Sequence, residues 1–407
     1  MYNNPPKNWK IYKLKELYDI KRGSSPRPIE KFLTTDPDGI NWIKIGDAKI
    51  DSKYIEETKE KITVEGAAKS RFVEEGDFIL SNSMSFGRPY IMKTRGCIHD
   101  GWLVLKERQD GLIFKDFMYY ILSSENVYSQ FKNAAAGGVV SNLNIQRVEN
   151  VIVPIPPTLA EQQEIAQVLD TMSDIIRLRK ECISHAQDLI PALFQEMFGD
   201  VNNNITKSAI ARFRDCINLN PSKPNLDDNL NVTFLGMKDI SEKGQVDLST
   251  IKTYEEVKKG FTNFENEDVL LAKITPCFEN GKAAIVRNLL NGYGFGSTEF
   301  YVLSPDQSII LPEYVYAIIK SYTFTESGKY KMTGAAGQKR LPKEYVLNYK
   351  FPLPPIELQE QFAEKVREIN SYIKEQQEEL ENAKQMFQSL LYHAFTGELT
   401  RRAYGKN

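Results

Sequence analysis

Toward the end of the chain, apolar side chains recur every seven residues. Val366, Ile373, Leu380, Phe387 and Ala394 form one series. Phe362, Ile369, Gln376, Ala383 and Leu390 form a second, polar only at Gln376. Together they make the a/d seam of a helix that packs along its length. The middle of the chain carries the same pattern. Leu169, Ile176, Ile183, Ile190 and Met197 are seven apart, with Ile165, Met172, Ala186 and Leu193 between them. Val168, Ile175, Cys182 and Leu189 widen that stripe. Each helix opens after a proline, Pro157 or Pro355, and a glycine, Gly199 or Gly397, stands where a C-terminal cap belongs. Each should hold ~40 residues and extend ~60 Å. Pro191 is expected to kink the first helix or end its regular part, because its ring clashes with the preceding turn. A helix of this length needs a partner in water. The simplest arrangement pairs the two as an antiparallel coiled coil; two separate hairpins or a homodimer seam are the alternatives.

The rest of the chain shows short apolar runs. Trp42–Ile45, Phe78–Ser81, Tyr90–Met92 and Leu103–Leu105 read as strands, followed by a helix at Lys115–Leu122. Thr233–Gly236, Val269–Ala272, Ala284–Val286 and Phe300–Leu303, then a helix at Pro312–Ile319, repeat the order. Residues match at a spacing of 198: Pro154-Ile155-Pro156-Pro157 with Pro352-Leu353-Pro354-Pro355, and, without a gap, Gln163 with Gln361 and Leu193 with Leu391. Upstream, Leu143 answers Leu341, Asp77 answers Asp268 and Asp47 answers Asp239. The expected fold class is therefore α+β: two similar mixed α/β domains separated by two long helices, with a pseudo-two-fold internal repeat. The expected boundaries are a first domain at 1–155, a helical spacer at 156–200, a second domain at 201–353, a second spacer at 354–400 and a tail at 401–407.

Net charge is −2 over 407 residues, but it is unevenly distributed. The two domain segments carry +3 and +2, and the two helical segments −5 and −2. Neither domain is basic enough for charge alone to imply nucleic acid. No apolar run approaches the ~18 residues of a membrane span, and the polar, proline-containing start does not read as a signal peptide. A cytoplasmic location is the expectation.

Motifs of catalysis are weak. Four cysteines without CxxC spacing and three histidines argue against a zinc site or a disulfide framework. Asn4-Pro5-Pro6 is followed by Lys7 rather than an aromatic, and no strand precedes it. No GxGxxG or GxxxxGK[ST] loop is present, so neither a dinucleotide or S-adenosylmethionine cradle nor an ATP motor is visible. Pro37-Asp38 with Glu57-Thr58-Lys59 mimics a nuclease pattern, but its second half sits in a charged run that reads as a solvated face. His99-Asp100 reads as structural or binding, since neighbours in a strand point to opposite faces.

The doubled Pro-Pro motif, running into Glu161-Gln162-Gln163 and Gln359-Glu360-Gln361, each at the head of a heptad helix, resembles the specificity subunits of type I restriction–modification systems. The resemblance covers nearly the whole chain. Lys21-Arg22-Gly23-Ser24-Ser25-Pro26 resembles the loop that opens many of that family's target-recognition domains. Residues 81–88 and 97–102 resemble segments of one domain type, and residues 270–282 and 296–300 those of another. What the resemblance implies is a non-catalytic subunit that binds double-stranded DNA and reads a bipartite, asymmetric target. It would dock two methyltransferase subunits, which use S-adenosylmethionine, and restriction subunits, which use ATP and Mg. The chain itself would carry no cofactor, metal or catalytic residue. The candidate DNA-reading residues are Lys21, Arg22, Ser24, Ser25, Arg27, Ser83, Ser85, Arg88 and His99 in the first domain. In the second they are Lys273, Thr275, Asn280, Lys282, Ser297, Lys339 and Arg340. Gly137-Gly138 and Gly334-Ala335-Ala336-Gly337 read either as loops close to DNA or as plain turns. A stand-alone DNA-binding nuclease and a coiled-coil scaffold without DNA affinity are the competing classes.

Overall fold

The computed structural model describes residues 8–82, 87–135, 143, 145–199, 207–335, 337–396 and 399. Asn4 to Lys7, Ser83, Ser85, Gly137-Gly138, Ala336, Gly397 and residues 401–407 lie outside the described residues. Two compact units are formed, residues 1–179 with 379–407, and residues 180–378. Each holds one sheet-rich part and a stretch of both long helices. Six helices are named below: α1 (Lys115–Ser123), α2 (Glu125–Ala135), α3 (Leu159–Phe198), α4 (Pro312–Lys320), α5 (Tyr322–Lys331) and α6 (Ile356–Thr396).

In the first unit a five-stranded sheet runs in the spatial order Tyr18–Arg22, Trp102–Glu107, Phe78–Ser81, Pro89–Met92, Tyr54–Ile55. It is antiparallel except where Tyr54–Ile55 joins Pro89–Met92. A second five-stranded sheet includes Ile40–Ile43 and Gly96–Ile98, paired in parallel. The central strand explains its own apolar run. Leu103 and Leu105 face a core with Phe117 and Ile121 of α1, while Trp102 and Val104 face Ile43, Tyr90 and Ile98. Side chains alternate along a strand, so a strand covered on both faces is apolar at every position.

The second unit repeats this with two four-stranded sheets. Val269 and Leu271 face the α4 side with Val315 and Ile318, whereas Leu270 and Ala272 face Leu235, Phe264 and Val302. In each unit the proline-bearing strand closes a two-stranded ribbon: Ile152–Ile155 with Lys10–Lys13, and Lys350–Leu353 with Ala209–Arg212. The aspartates that match across the repeat do the same work. Asp47 accepts from the Lys44 N–H (2.8 Å) and Asp239 from the Gly236 N–H (2.7 Å). Asp77 accepts from the Glu74 N–H (2.8 Å) and Asp268 from the Glu265 N–H (2.7 Å).

Two expectations about strands and helices need correction. The strand expected at Trp42–Ile45 is Ile40–Ile43, because the Asp47 cap bends Ile45–Asp47 into a 3-10 turn. Helix α3 does not end at Pro191; it is helical to Phe198, and Gly199 leaves it at φ +73°. Pro191 is exposed, so the carbonyl that its missing N–H leaves free can reach water.

The long helices pair antiparallel within each unit. In the first, Ile165, Ala166 and Leu169 of α3 share a core with Leu391, Ala394 and Phe395 of α6. In the second, Phe194 and Phe198 meet Phe362 and Val366, with ring centroids 5.3 Å apart for Phe198 and Phe362. Of the seam positions, Leu169, Ile183, Val366, Ile373 and Leu380 are buried; Met172, Ile176, Ile190, Ile369 and Phe387 are half-buried. The widening row is not buried as expected: Val168, Cys182 and Leu189 are exposed, because a two-helix seam covers only a narrow stripe.

The gapless spacing of 198 is also corrected. Buried positions correspond at 197: Ile165 with Phe362, Ala166 with Ala363, Leu169 with Val366, Ile183 with Leu380 and Ala186 with Ala383. The gapless spacing would set Leu169 against exposed Arg367 and Ile183 against exposed Glu381. One residue fewer separates the Pro-Pro motif from the helix in the second half, since α3 starts at Leu159 and α6 at Ile356.

One buried glutamine locks each helix head to its own domain. Gln162 accepts from the Phe114 N–H (2.7 Å) and donates to the Leu112 carbonyl (3.1 Å). Gln359 accepts from the Leu311 N–H (2.9 Å) and donates to the carbonyls of Ile309 (3.1 Å) and Pro354 (2.9 Å).

Candidate nucleic-acid interface

In the first unit the chain leaves the strand Tyr18–Arg22 through Gly23. The Gly23 N–H donates to the Trp102 carbonyl (2.9 Å) and the Ser24 N–H to that of Ile98 (3.2 Å). A Cβ at position 23 would lie 2.1 Å from the His99 carbonyl oxygen, so this turn requires glycine. The loop is thereby pinned to residues 98–102. The Arg22 guanidinium donates to the Asp100 carbonyl (2.9 Å), and the Ser25 hydroxyl to the Asp100 carboxylate (2.9 Å). Arg27 reaches the same carboxylate only at 3.5 Å and its side chain stays 82% exposed. Burial pushes the Asp100 carboxyl up, but the Ser25 hydroxyl and the nearby His99 and Arg22 hold it below its ordinary value.

His99 is a part of this scaffold. Its Nδ1 faces the Gly101 N–H (2.7 Å) and its Nε2 the Ile45 N–H (3.1 Å). Burial lowers its pKa, and a protonated ring would turn two donors on those N–H groups. Lys21 pairs with Asp19 (2.6 Å) yet remains half-exposed. Two residues missed in the sequence contact the loop, Lys69 only through its main chain, since its ammonium pairs with Glu65 (2.8 Å). The Ser24 hydroxyl donates to the Lys69 carbonyl (3.3 Å), and the Arg71 guanidinium to that of Arg22 (3.4 Å). They lie more than forty residues away in the chain, so no local signal marks them.

Arg88 opens the strand Pro89–Met92 and is half-buried, with no ion pair among the described residues. Beside it, Asn82 N–H donates to the Gly101 carbonyl (2.8 Å), and the Asn82 carbonyl accepts from Leu143 (3.3 Å). The Asn82 amide is fully buried, without a hydrogen-bond partner among the described residues.

The second unit builds a corner at the same place. Lys273 N–H donates to the Glu299 carbonyl (2.9 Å), and the Lys273 carbonyl accepts from Leu341 (2.8 Å). Lys273 thus stands where Asn82 stands in the first unit. Its Nζ lies 5.0 Å from the Tyr301 ring centroid, and burial holds its pKa below the ordinary lysine value. The Thr275 N–H donates to the Lys339 carbonyl (3.0 Å), and the Thr275 hydroxyl oxygen is buried without a partner among the described residues. Arg340 clamps Glu299 with two donors (2.7 and 3.0 Å), which hold the Glu299 carboxyl below its usual range. The Ser297 hydroxyl accepts from the Glu299 N–H (3.2 Å).

Lys273, Thr275, Ser297, Lys339 and Arg340 are therefore brought together. Asn280 and Lys282 are not. Asn280 donates to Glu242 (2.7 Å), and Lys282 to the Met237 carbonyl (2.8 Å). Aromatic candidates were missed. Tyr322 and Tyr330 of α5 are 81% and 86% exposed, and Tyr330 stands between Lys329 and Lys331 just before residues 333–341. The Lys-Tyr-Lys triplet was the available signal.

A different surface lies on the long helices of the second unit. Cys182, His185, Ala186 and Leu189 of α3 with Glu368, Ile369 and Tyr372 of α6 line a shallow, mainly apolar groove. Among the described residues, no group of three or more His, Cys, Asp or Glu side chains is placed to hold a metal ion. Among them, too, no helix is long and apolar enough to cross a membrane.

Comparison with known proteins matches the chain to the family model described as the type I restriction modification DNA specificity domain, over residues 6–185 and 216–382. The EcoAI type I restriction enzyme specificity subunit of Escherichia coli is 45% identical over 144 residues, 35% of this chain and 24% of that protein. The chain thus spans about a quarter of the length of the curated relatives it matches first; for the EcoEI specificity subunit the figure is 23%. Among solved structures, the S subunit of a type I restriction-modification system from M. genitalium aligns with a TM-score of 0.56 at 15% identity. It covers 97% of this chain and 98% of its own. A chain from a study of complex assembly and conformational transition in the type I R-M system aligns at 0.60 and 16%, covering 97% and 99%. Both establish the fold.

Proposed function

Because the chain belongs to the type I restriction modification DNA specificity domain family, we propose that it is the non-catalytic subunit that selects the DNA target of an adenine methyltransferase and restriction complex. The observation that carries this reading is the pair of equivalent corners built from unlike residues. Ser24, Ser25, Asn82, Arg88 and Asp100 form one; Lys273, Thr275, Lys339 and Arg340 form the other. One scaffold repeated with two chemistries suits a bipartite, asymmetric target, since each base pair shows its own donor and acceptor pattern in the major groove. Exposed Arg27, Lys69, Lys339, Tyr322 and Tyr330 would supply phosphate contacts and stacking surface.

The exposed apolar row on the long helices supports docking of partner subunits. Leu189 is 55% and Tyr372 46% exposed, and both line the groove described above. Methyltransferase subunits, two per chain, would bring S-adenosylmethionine; restriction subunits would bring ATP and Mg. A cytoplasmic location belongs to the same proposal.

The experiment is adenine-methylation mapping of DNA from cells carrying this gene and its methyltransferase partner, against deletion of this gene. A bipartite methylated motif that vanishes on deletion is expected. An unchanged methylation pattern, with the partner expressed, would overturn the reading. Arg88→Ala should then weaken one half-site and Lys273→Ala the other, each by about 1–3 kcal/mol of discrimination. An effect of both on the same half-site would refute the assignment of one corner to each.

A further inference from the structure

Each unit holds an ion cluster between its sheet-rich part and its own long helix. In the first, Lys53 Nζ lies 2.8 Å from Asp116 of α1 and 2.6 Å from Asp170 of α3. Tyr54 donates to the Asp116 carboxylate (3.0 Å) and Tyr120 to that of Asp170 (2.6 Å). In the second, Glu313 of α4 receives Arg287 (2.7 Å) and Arg367 of α6 (3.0 Å), and Arg287 also forks onto Glu267 (2.7 Å). Asp116 and Glu313 correspond at the 197 spacing, and so do Asp170 and Arg367. The order of charge is inverted: a cation between two carboxylates in one unit, and a carboxylate between two guanidinium groups in the other.

The central charge of each cluster is shielded, while Arg367 at the rim stays 60% exposed. The Glu313 side chain is 2% exposed and that of Lys53 18%. The multiple partners hold the protons of Lys53 and Arg287 more tightly than in water. A shielded charge that loses its partner is strongly destabilising, whereas a matched reversal can restore the pair. The hydrophobic seam discriminates by shape and volume, not by charge.

We infer that these clusters are charge-inverted keys that seat each recognition domain on its own helix, making Lys53, Asp170, Arg287 and Arg367 positioning residues for the spacing between half-sites; the spacing part rests on the function proposed above. An exchanged seat would put Lys53 against Arg367, or Glu313 against Asp170, so the side chain that pairs directly with its own helix would meet a like charge, with only Asp116 or Arg287 nearby to offset it. A loosened seat lets the domain rock. Over a lever of ~20 Å, the length of a six-residue strand, a tilt of ~10° displaces the reading loops by about one base-pair rise, ~3.4 Å.

The test uses the full chain with its methyltransferase partner. Lys53→Glu and Asp170→Lys are made singly and together; the double variant restores an opposite-charge pair between positions 53 and 170. Asp170→Asn is the mild variant should a reversal fail to fold. Methylation is read on DNA carrying the mapped half-sites at native spacing and at one base pair more or less. The single variants and Asp170→Asn should lose at least fivefold in discrimination between spacings, and the double variant should regain it. Unchanged discrimination in the single variants, or a double variant as relaxed as they are, would overturn the spacing role. The key is also read without DNA, by hydrogen exchange of residues 115–123. Protection should fall at least tenfold in the single variants and return in the double; no such rescue would overturn the key. Absence of site-specific methylation by the unaltered chain would instead sink the function proposed above, and hydrogen exchange would still decide the key.

Discussion

Replacing Gln359 by methionine keeps the side chain's length and removes its amide. Gln359 is fully buried and makes three hydrogen bonds, to the Leu311 N–H and to the carbonyls of Ile309 and Pro354. At about 1 kcal/mol net per hydrogen bond, with buried groups left unpaired, the loss should be about 3 kcal/mol. For a unit of this size that is a fall in melting temperature of about 6–12 °C. Gln162→Met removes two bonds and should cost about 2 kcal/mol. The controls are Gln361→Met and Gln163→Met, both exposed, which should stay within about 0.5 kcal/mol. Urea unfolding followed by circular dichroism, with calorimetry for the melting temperatures, reads all four. If Gln361→Met cost as much as Gln359→Met, the 197 correspondence of the helix heads and the clamp itself would both be wrong.

Gly23→Ala should destabilise the first unit by about 3 kcal/mol, since its Cβ would lie 2.1 Å from the His99 oxygen; urea unfolding with less than 1 kcal/mol of change would refute that packing. Pro191→Ala should stabilise the second unit by about 2 kcal/mol, because a helix-interior proline is unfavourable even when exposed; a lower melting temperature would show that Pro191 has a positive role. The His99 imidazole, depressed by burial beside Asp100, Lys44 and Asp47, should weaken the first unit on acidification. The sign follows from linkage. Below about 6.5 the unfolded chain binds a proton that the folded form resists, so stability is full above that pH and falls beneath it. His99→Gln should flatten the slope of melting temperature between pH 7 and 5, and an unaltered slope would assign it to carboxylates instead.

What was legible in the sequence follows from what repeats. Strong periodicity found both long helices. Runs covered on both faces found the central strands, such as Phe78–Ser81 and Val269–Ala272, at their observed bounds. Asp47 with Asp239 and Asp77 with Asp268 were recognisable because a side-chain cap of a tight turn accepts few residue types. Helices α2 and α5 were missed: α5 carries exposed Tyr322 and Tyr330 on a weakly amphipathic surface, so no stripe marks it. The register of the helix heads was misread by one residue, because Glu161-Gln162-Gln163 and Gln359-Glu360-Gln361 each offer two glutamines and only burial selects between them. At the corners, residue type suggested chemistry, but which groups meet depends on distant backbone. Asn280 and Lys282 therefore turned to another loop, while Lys69 and Arg71 arrived unannounced.

The contrast between scaffold and corner has a physical origin. Gln162 and Gln359, or Asp47 and Asp239, answer identical backbone donors, so the fold dictates them and both halves keep them. Among the described residues, no hydrogen bond ties the side chain of Asn82 or Lys273 to the backbone. Their main-chain groups are held by equivalent bonds, to Gly101 and Leu143 in one unit and to Glu299 and Leu341 in the other. The shared backbone therefore does not dictate which side chain stands there. An amide offers one donor and one acceptor side, whereas an ammonium offers donors alone. A position whose side chain the shared backbone leaves unspecified is one at which the halves differ in hydrogen-bonding chemistry, as the proposed reading of two unlike half-sites requires.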